Sequence, residues 1–286
     1  MTLRSWIASG EKRLRGGPHP DRARLDAETL LLHLIQSDRT FLIAHSDEML
    51  NAEGAVRYYA LIERRLAGEP IQYITGQTEF YGLPFSVDSS VLIPRPETEH
   101  LVEKVLSLAK GFSDLRIPNL RIVDVGTGSG AIAVALAHKL PSASITAIDL
   151  SAPALAVARA NAEQNAVTDR IRFLQGDLLA PVAGETFHIV VSNPPYVADA
   201  DRASLAVEVR DHEPELALFA GSDGLTIYRQ LIPQAHAVLV PGGFIALEVG
   251  CGQHSAVAAL RAASGFTHID FTCDLRSIQR VVTGRR

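Results

Sequence analysis

Asn193-Pro194-Pro195-Tyr196 is the stretch of this 286-residue chain whose residue types can hold a reacting group in fixed geometry. It follows an apolar run, Phe187-His188-Ile189-Val190-Val191-Ser192, and so belongs on a loop leaving the carboxyl end of a strand. Two consecutive prolines fix φ and remove two backbone donors, and the residue before a proline is driven out of the helical region. Asn193 is therefore held extended at a stiff corner. Its side-chain amide, the Pro194 carbonyl and the Tyr196 ring together suit a planar group that carries an NH2, either a carboxamide or an exocyclic amine. A plain proline-rich turn would use the same residues, so the decision rests on what lies upstream.

Upstream, Ile122-Val123-Asp124-Val125-Gly126-Thr127-Gly128-Ser129-Gly130 runs from a strand through a glycine turn into a helix. Such a turn lets the backbone approach a ligand closely, and the helix start favours groups that accept hydrogen bonds. The next strand, Ile145-Thr146-Ala147-Ile148-Asp149, ends in a carboxylate able to accept from ribose hydroxyls of a nucleoside or a dinucleotide. The strand after that ends in Gln175-Gly176-Asp177-Leu178, which places another acid against an adenine amino group and Leu178 against the ring face. Gly126 to Ala131 also fits the dinucleotide pattern G-x-G-x-x-G/A, so the glycines alone leave an NAD site open.

These loops need a scaffold. Short apolar strands at Leu120–Val125, Ser144–Asp149, Ile171–Gln175, Phe187–Ser192 and Gly243–Val249 alternate with helices at Ala131–Lys139, Ala152–Asn165 and Leu225–Leu239. That alternation predicts an α/β fold with a parallel sheet covered on both faces. The gap between the strand-like runs Thr267–Cys273 and Gln279–Thr283 is too short for a crossover helix, so the last pair is expected to be antiparallel. Residues 1–75 read as helical. One helix carries Leu25, Ala27, Leu30, Leu31, Leu32, Leu34 and Ile35 behind an N-cap at Asp21. A second runs from Asn51 to Leu66 with Val56, Tyr59, Ala60, Ile62 and Leu66 inward, and stops at Gly68 and Pro70. Residues 73–87, rich in β-branched and aromatic types, read as a β-hairpin, and a helix over Thr98–Ala109 follows the corner Leu92-Ile93-Pro94-Arg95-Pro96.

Composition narrows the classes. With 27 Lys and Arg against 32 Asp and Glu, the formal charge is −5, without the basic excess expected of a protein held by nucleic-acid phosphates. Two cysteines, Cys251 and Cys273, form neither a metal spacing nor a disulfide framework, which favours a reducing compartment. No run approaches the length of a membrane span, so a cytoplasmic protein without membrane contact is expected. Other polar residues have plainer readings. His188 is read as a satisfied core histidine, the group Glu208, Asp211, His212 and Glu213 as a solvated face rather than a metal site, and Cys251 as chemically idle. Arg95 either meets an acidic partner or makes a structural ion pair.

A glycine loop spaced G-x-G-x-G after Asp124 resembles that of S-adenosylmethionine (AdoMet) methyltransferases, and Asn193-Pro194-Pro195-Tyr196 after the fourth strand resembles their amino-group N-methylating members. The helical start, Pro70-Ile71-Gln72-Tyr73-Ile74-Thr75-Gly76, Phe80-Tyr81-Gly82 and Leu92-Ile93-Pro94-Arg95-Pro96-Glu97-Thr98-Glu99 narrow this further. Together they resemble the peptide chain release factor glutamine-N5 methyltransferases, the PrmC/HemK family, over almost the whole chain. The resemblance implies a helical substrate-docking domain at 1–75, a hairpin linker at 76–97 and a Rossmann-like class I methyltransferase domain at 98–286. Its sheet would be mainly parallel and seven-stranded, ending in an antiparallel strand. The implied reaction moves a methyl group from AdoMet, leaving S-adenosylhomocysteine, to the glutamine of the Gly-Gly-Gln motif in class I release factors. By the same resemblance Gly126, Thr127, Gly128, Ser129, Gly130, Asp149, Asp177, Leu178 and Asn193 contact AdoMet, while Asn193, Pro194, Pro195 and Tyr196 hold the glutamine. Asn193, Pro194 and Tyr196 would carry the chemistry, with no metal, in a monomer that makes no stable nucleic-acid complex. Some members carry an aromatic residue where Leu178 stands. An adenine-N6 nucleic-acid methyltransferase, which shares the Asn-Pro-Pro-Tyr chemistry, is the alternative.

Overall fold

The structure, a computed structural model, describes residues 1–114 and 119–286. Its internal contacts form two compact units, one of Met1–Gln77 with Leu205–His212, the other of Thr78–Ser204 with Glu213–Arg286. The first unit is helical: α1 Leu3–Leu14, α2 Ala23–Ile35, α3 Arg39–Ala44, α4 Ala52–Leu66 and α5 Ile71–Thr75. α1 starts where the Thr2 hydroxyl accepts from Ser5 N, and it buries Leu3, Trp6, Ile7, Gly10 and Leu14, one stripe at helical spacing. A Cβ on Gly10 would lie 2.4 Å from the Tyr58 hydroxyl, so only glycine lets α1 come this close to α4.

Two local expectations fail here. Asp21 is not an N-cap; it sits in a 3₁₀ turn, Pro20–Arg22, and α2 begins at Ala23 without a side-chain cap. α4 does start at Asn51, whose Oδ1 accepts from Gly54 N at 2.7 Å, but its inward face is Tyr58, Ile62 and Arg65. Val56 is 71% exposed and Tyr59 41% exposed. The helix is turned because two polar ends are satisfied inside: the Tyr58 hydroxyl donates to Ala27 O at 3.0 Å, and Arg65 Nε donates to Asp26 Oδ2 at 2.7 Å. Arg65 Nη1 also donates to Glu69 O and to Glu208 Oε2, each at 2.9 Å, which ties residues 205–212 to this unit.

The second unit opens with a hairpin, β1 Gln77–Phe80 and β2 Leu83–Ser86, turned by Tyr81 and Gly82 at φ 55° and 73°. Positive φ at both positions gives the turn the twist that strand pairs need. The hairpin is shorter than residues 73–87, since 71–75 are the helix α5. Phe80 and Phe85 enter the core, and the buried Asn161 side chain accepts from Ser86 N and donates to Ser86 O and Ser129 O. After a 3₁₀ turn, Pro96–Thr98, come α6 Glu99–Asp114, β3 Arg121–Val125, α7 Ala131–Lys139, β4 Ser144–Asp149, α8 Ala152–Gln164, β5 Ile171–Gln175 and β6 Phe187–Ser192. α9 Val207–His212, α10 Thr226–Val238, β7 Leu239–Glu248, α11 His254–Ala263, β8 Thr267–Cys273 and β9 Gln279–Arg285 complete the chain. The sheet has seven strands in the order β5-β4-β3-β6-β7-β9-β8, parallel except for β9, which inserts antiparallel between β7 and β8.

Ile122 and Val123 bury themselves in cores on opposite faces, which is why these strands read as continuous apolar runs. Strand order reverses between β3 and β6, and in open α/β sheets ligands bind beyond the carboxyl ends at such a reversal. No helix among the described residues is long and apolar enough to cross a membrane.

The Asp26–Arg65 pair gives a direct test of the helical unit. Both side chains are at most 3% exposed, and removing one partner of a buried pair costs about 3–5 kcal/mol. Asp26→Ala is expected to destabilise this unit by that amount, read by urea unfolding through the fluorescence of Trp6, the chain's single tryptophan. A loss under about 1 kcal/mol would mean that the pair contributes little.

Candidate active site

Two loops leave neighbouring strand ends at the reversal point, and buried contacts hold each one. Asp124, at the end of β3, is 0% exposed and accepts from Thr127 Oγ1 at 2.6 Å. Burial pushes its carboxyl up to about 7. The backbone N–H groups of Gly126 and Thr127 both donate to Ile148 O, at 2.8 and 3.0 Å, which lashes the glycine loop to β4. Asp149 ends β4 and accepts from Gly128 N at 2.8 Å and Ser151 N at 2.9 Å, while burial pushes its carboxyl up. Each of its oxygens keeps a lone pair for a further donor.

The glycines of the loop do two jobs. Gly126 and Gly128 have φ of 71° and 55°, and a Cβ at either would meet nothing within 4 Å, so these positions face open space. Gly130 faces the protein instead, where a Cβ would lie 3.1 Å from the Ala158 Cβ, and it sets how closely α7 approaches α8.

Across the reversal point, Ser192 Oγ donates to Val125 O at 2.6 Å and joins the ends of β6 and β3. Asn193 follows, and its Nδ2 donates to Thr98 Oγ1 at 3.1 Å; Thr98 is only 4% exposed. Pro194 is buried. Tyr196 packs against the core beneath α10 and α11; its carbonyl accepts from Gln253 Nε2 at 2.9 Å, and burial pushes its phenol up to about 12. Leu178 adopts φ 48°, a conformation a leucine enters only when its surroundings force it.

Between these loops lies a cavity of about 340 Å³. Of the residues singled out in the sequence, it brings together Gly126, Thr127, Gly128, Ser129, Asp149, Asp177, Leu178, Asn193 and Pro195. Gly130, Pro194 and Tyr196 are not among its lining residues. The wall also uses Val91, Leu92, Pro94, Thr98, Leu150, Leu216 and Ile227, which sequence reasoning passed over. Leu150 and Thr98 had a signal, since one follows a strand-end acid and the other a proline corner. Leu216 and Ile227 arrive from distant loops and had none.

The remaining polar residues resolve clearly. Arg95 makes an ion pair, its Nη2 donating to Glu213 Oε1 at 2.5 Å. Glu213 is 4% exposed and Glu208 is paired with Arg65, so the solvated face expected for 208–213 holds only for exposed Asp211. A carboxylate can be buried there because an arginine meets it. No group of three potential metal ligands forms among the described residues. His188 is a satisfied but half-buried histidine: its Nδ1 accepts from Arg121 N at 3.0 Å, its ring meets Phe112 edge-on, and partial burial holds its pKa low.

Residues 5–76 match the PrmC N-terminal domain and residues 108–210 the methyltransferase small domain. The release factor glutamine methyltransferase of Koribacter versatilis is 41% identical, covering 100% of this chain and 99% of its own. That of Burkholderia pseudomallei is 45% identical over 91% of each chain. This chain belongs to the release factor glutamine methyltransferase family. Solved structures agree on the fold: the N-terminal domain of human METTL16 in complex with SAH, 18% identical, matches with a TM-score of 0.52 over 89% of this chain and 93% of that one. A Pyrococcus furiosus methyltransferase, 17% identical, matches with a TM-score of 0.51 over 72% of this chain and 89% of that one. Of the two activities left open by the sequence, the relatives favour the protein-modifying one over adenine-N6 methylation.

The glycine loop of this family member yields a paired prediction. Gly130→Ala brings both positive φ and a backbone clash and should cost about 2–3 kcal/mol in thermal unfolding, against about 1 for Gly128→Ala, which brings φ strain alone. Equal losses would remove the distinction drawn between the two glycines.

The buried acid beneath the loop gives a second prediction. Between the ordinary carboxyl value and about 7, native Asp124 holds a proton that the unfolded chain has lost. Its contribution therefore makes stability fall as pH rises from about 4 to about 7. Asp124→Asn should flatten that slope in melts run across the range, and an unchanged slope would refute the assignment.

Proposed function

We propose that the cavity seats AdoMet and that Asn193 holds beside it the side-chain amide of a release factor glutamine, in the Gly-Gly-Gln motif, for methylation at N5. One observation carries the reading most of the way: Asn193 stands in the wall of the same cavity as the glycine loop and Asp149. The cavity fits the donor. About 340 Å³ lies in the range of small-molecule sites, the free lone pairs of Asp149 suit vicinal ribose hydroxyls, and Leu150 and Leu178 offer apolar surface to adenine beside the exposed Asp177. Bound there, AdoMet supplies a methyl group already activated on a sulfonium.

The protein's own residues then align the acceptor. A carboxamide nitrogen is a weak nucleophile because its lone pair is delocalised into the carbonyl. Asn193 Nδ2 is occupied by Thr98, so Asn193 Oδ1 is available to accept one N–H of the target amide. The Pro194 carbonyl, next along the rigid corner, accepts the other. Two acceptors draw density toward the nitrogen and fix its lone pair in direction, and alignment of this kind can contribute roughly 7–11 kcal/mol. Tyr196, expected to help hold the glutamine, also braces the corner through Gln253 and the core beneath it. The helical unit docks the release factor in this reading, and the chain works as a cytoplasmic monomer.

Asn193→Ala should lower kcat/KM for the release factor about 100-fold or more while AdoMet affinity stays within about threefold. Labelling from AdoMet should also vanish when the target glutamine is replaced by alanine. Near wild-type transfer by Asn193→Ala would sink the role of Asn193, and labelling of the Gln→Ala factor would sink the substrate.

A further inference from the structure

We propose that Glu248, acting through the Thr98 hydroxyl, fixes which end of the Asn193 amide faces the substrate, making Glu248 and Thr98 positioning residues for amide recognition. This rests on the reading of Asn193 given above.

Glu248 closes β7 and is 2% exposed. Its carboxylate faces the Thr98 side chain, which favours its charged form, and its Oε2 has no hydrogen-bond partner in the protein. Thr98, itself buried, is 3.1 Å from Asn193 Nδ2. The three side chains therefore follow one another from the sheet end to the cavity wall, and in this proposal the Thr98 hydroxyl links them by donating to Glu248. The direction of this chain is set at the buried end. A hydroxyl carries one proton, and an ionised carboxylate can only accept. With that proton committed to Glu248, the Thr98 oxygen can only accept, so Asn193 must present Nδ2 to Thr98 and Oδ1 to the cavity. The opposite orientation would set the Asn193 NH2 against the NH2 of the target glutamine, two donors face to face with no bond between them. The amide of an isolated asparagine can turn over; this one is locked by a charge two side chains away.

The locking charge depends on pH. Burial pushes the Glu248 carboxyl up to about 7. Thr98, Arg280 and Arg95 favour its charged form and Glu97 opposes it, while the Tyr196 and Tyr228 phenols also face it. Once protonated, Glu248 can donate to Thr98, which frees the Thr98 proton for Asn193 Oδ1 and lets the amide turn. Wild-type kcat/KM for the release factor should therefore rise with pH through about 7. Asp124 titrates in the same range but holds the glycine loop, so its effect belongs to AdoMet affinity, which separates the two.

The test compares wild type with Glu248→Gln, Thr98→Val and Thr98→Ser, measuring kcat/KM for the release factor, AdoMet affinity by titration, and melting temperature. Glu248→Gln keeps the shape but can donate, and Thr98→Val keeps the bulk but breaks the chain. Both should lose about tenfold or more in kcat/KM with AdoMet affinity within about twofold, while Thr98→Ser recovers most of the Thr98→Val loss. Retained kcat/KM in Glu248→Gln or Thr98→Val, a Thr98→Ser as poor as Thr98→Val, or a parallel fall in AdoMet affinity would overturn the proposal. Should Glu248→Gln fail to fold, the serine and valine pair decides alone. A wild type that does not methylate the glutamine would bring down the underlying reading and this inference with it, whereas a loss confined to the variants bears on the inference itself.

Discussion

The site depends on the reversal of strand order between β3 and β6. Chain leaving β3 crosses to one side of the sheet and chain leaving β6 to the other, so the two loops diverge and leave a cleft between them. Register then matters: Asp124 pairs with Val191, which brings Gly126 and Asn193 off the sheet at the same level. The Ser192 hydroxyl on Val125 O closes the gap at the base of the cleft. Without that level exit, the glycine loop and the proline corner would not share one cavity, whatever their sequences.

A second device appears twice above this base. A buried carboxylate at a strand end is set to accept from a threonine hydroxyl, and the threonine orders a loop. Asp124 does so with Thr127 in the glycine loop, and Glu248 with Thr98 beside Asn193. Burying an acid costs free energy, which shows in carboxyls pushed up to about 7 in both cases. A neutral amide would cost less but would not dictate the direction of the hydrogen bonds. Directionality is what the expense secures, because a transfer site must present acceptors, and only acceptors, to the incoming N–H groups.

How much of this was legible depends on the range of the contact. The glycine loop, Asp149, Asp177 and the proline corner could be read because each sits at the end of an apolar run, and strand ends are a local pattern. The face of α4 could not. Apolar periodicity favoured Val56 and Tyr59, but the helix turns to satisfy Arg65 with Asp26, a partner from another helix. Glu213 looked like part of a solvated acidic cluster for the same reason, its arginine being far away in sequence at position 95. Thr98 and Glu248 lie on opposite sides of the chain from Asn193 and become a unit only when β6 and β7 pair. Gly130 is the inverse case: beside the ligand contact its motif suggested, the packing of α7 on α8 calls for a residue without a Cβ.

The titratable groups around the cavity bear on what the site supplies. Asp149 is bonded to two backbone N–H groups, Asp124 to Thr127, and Arg95 to Glu213. Tyr196 is pushed to about 12 and braced in the core. Asp177 is exposed. Asp149, Asp124 and Arg95 are thus engaged in holding loops, and beside Asp149 and Asp177 the cavity wall brings mainly hydroxyl, amide and apolar side chains. A site built to abstract a proton would place a poised, free group in the wall, whereas Glu248, whose Oε2 has no partner, is not among the lining residues. This arrangement spends its charges on rigidity instead, which suits a reaction whose donor is already activated and whose proton can leave to water after the methyl group has moved.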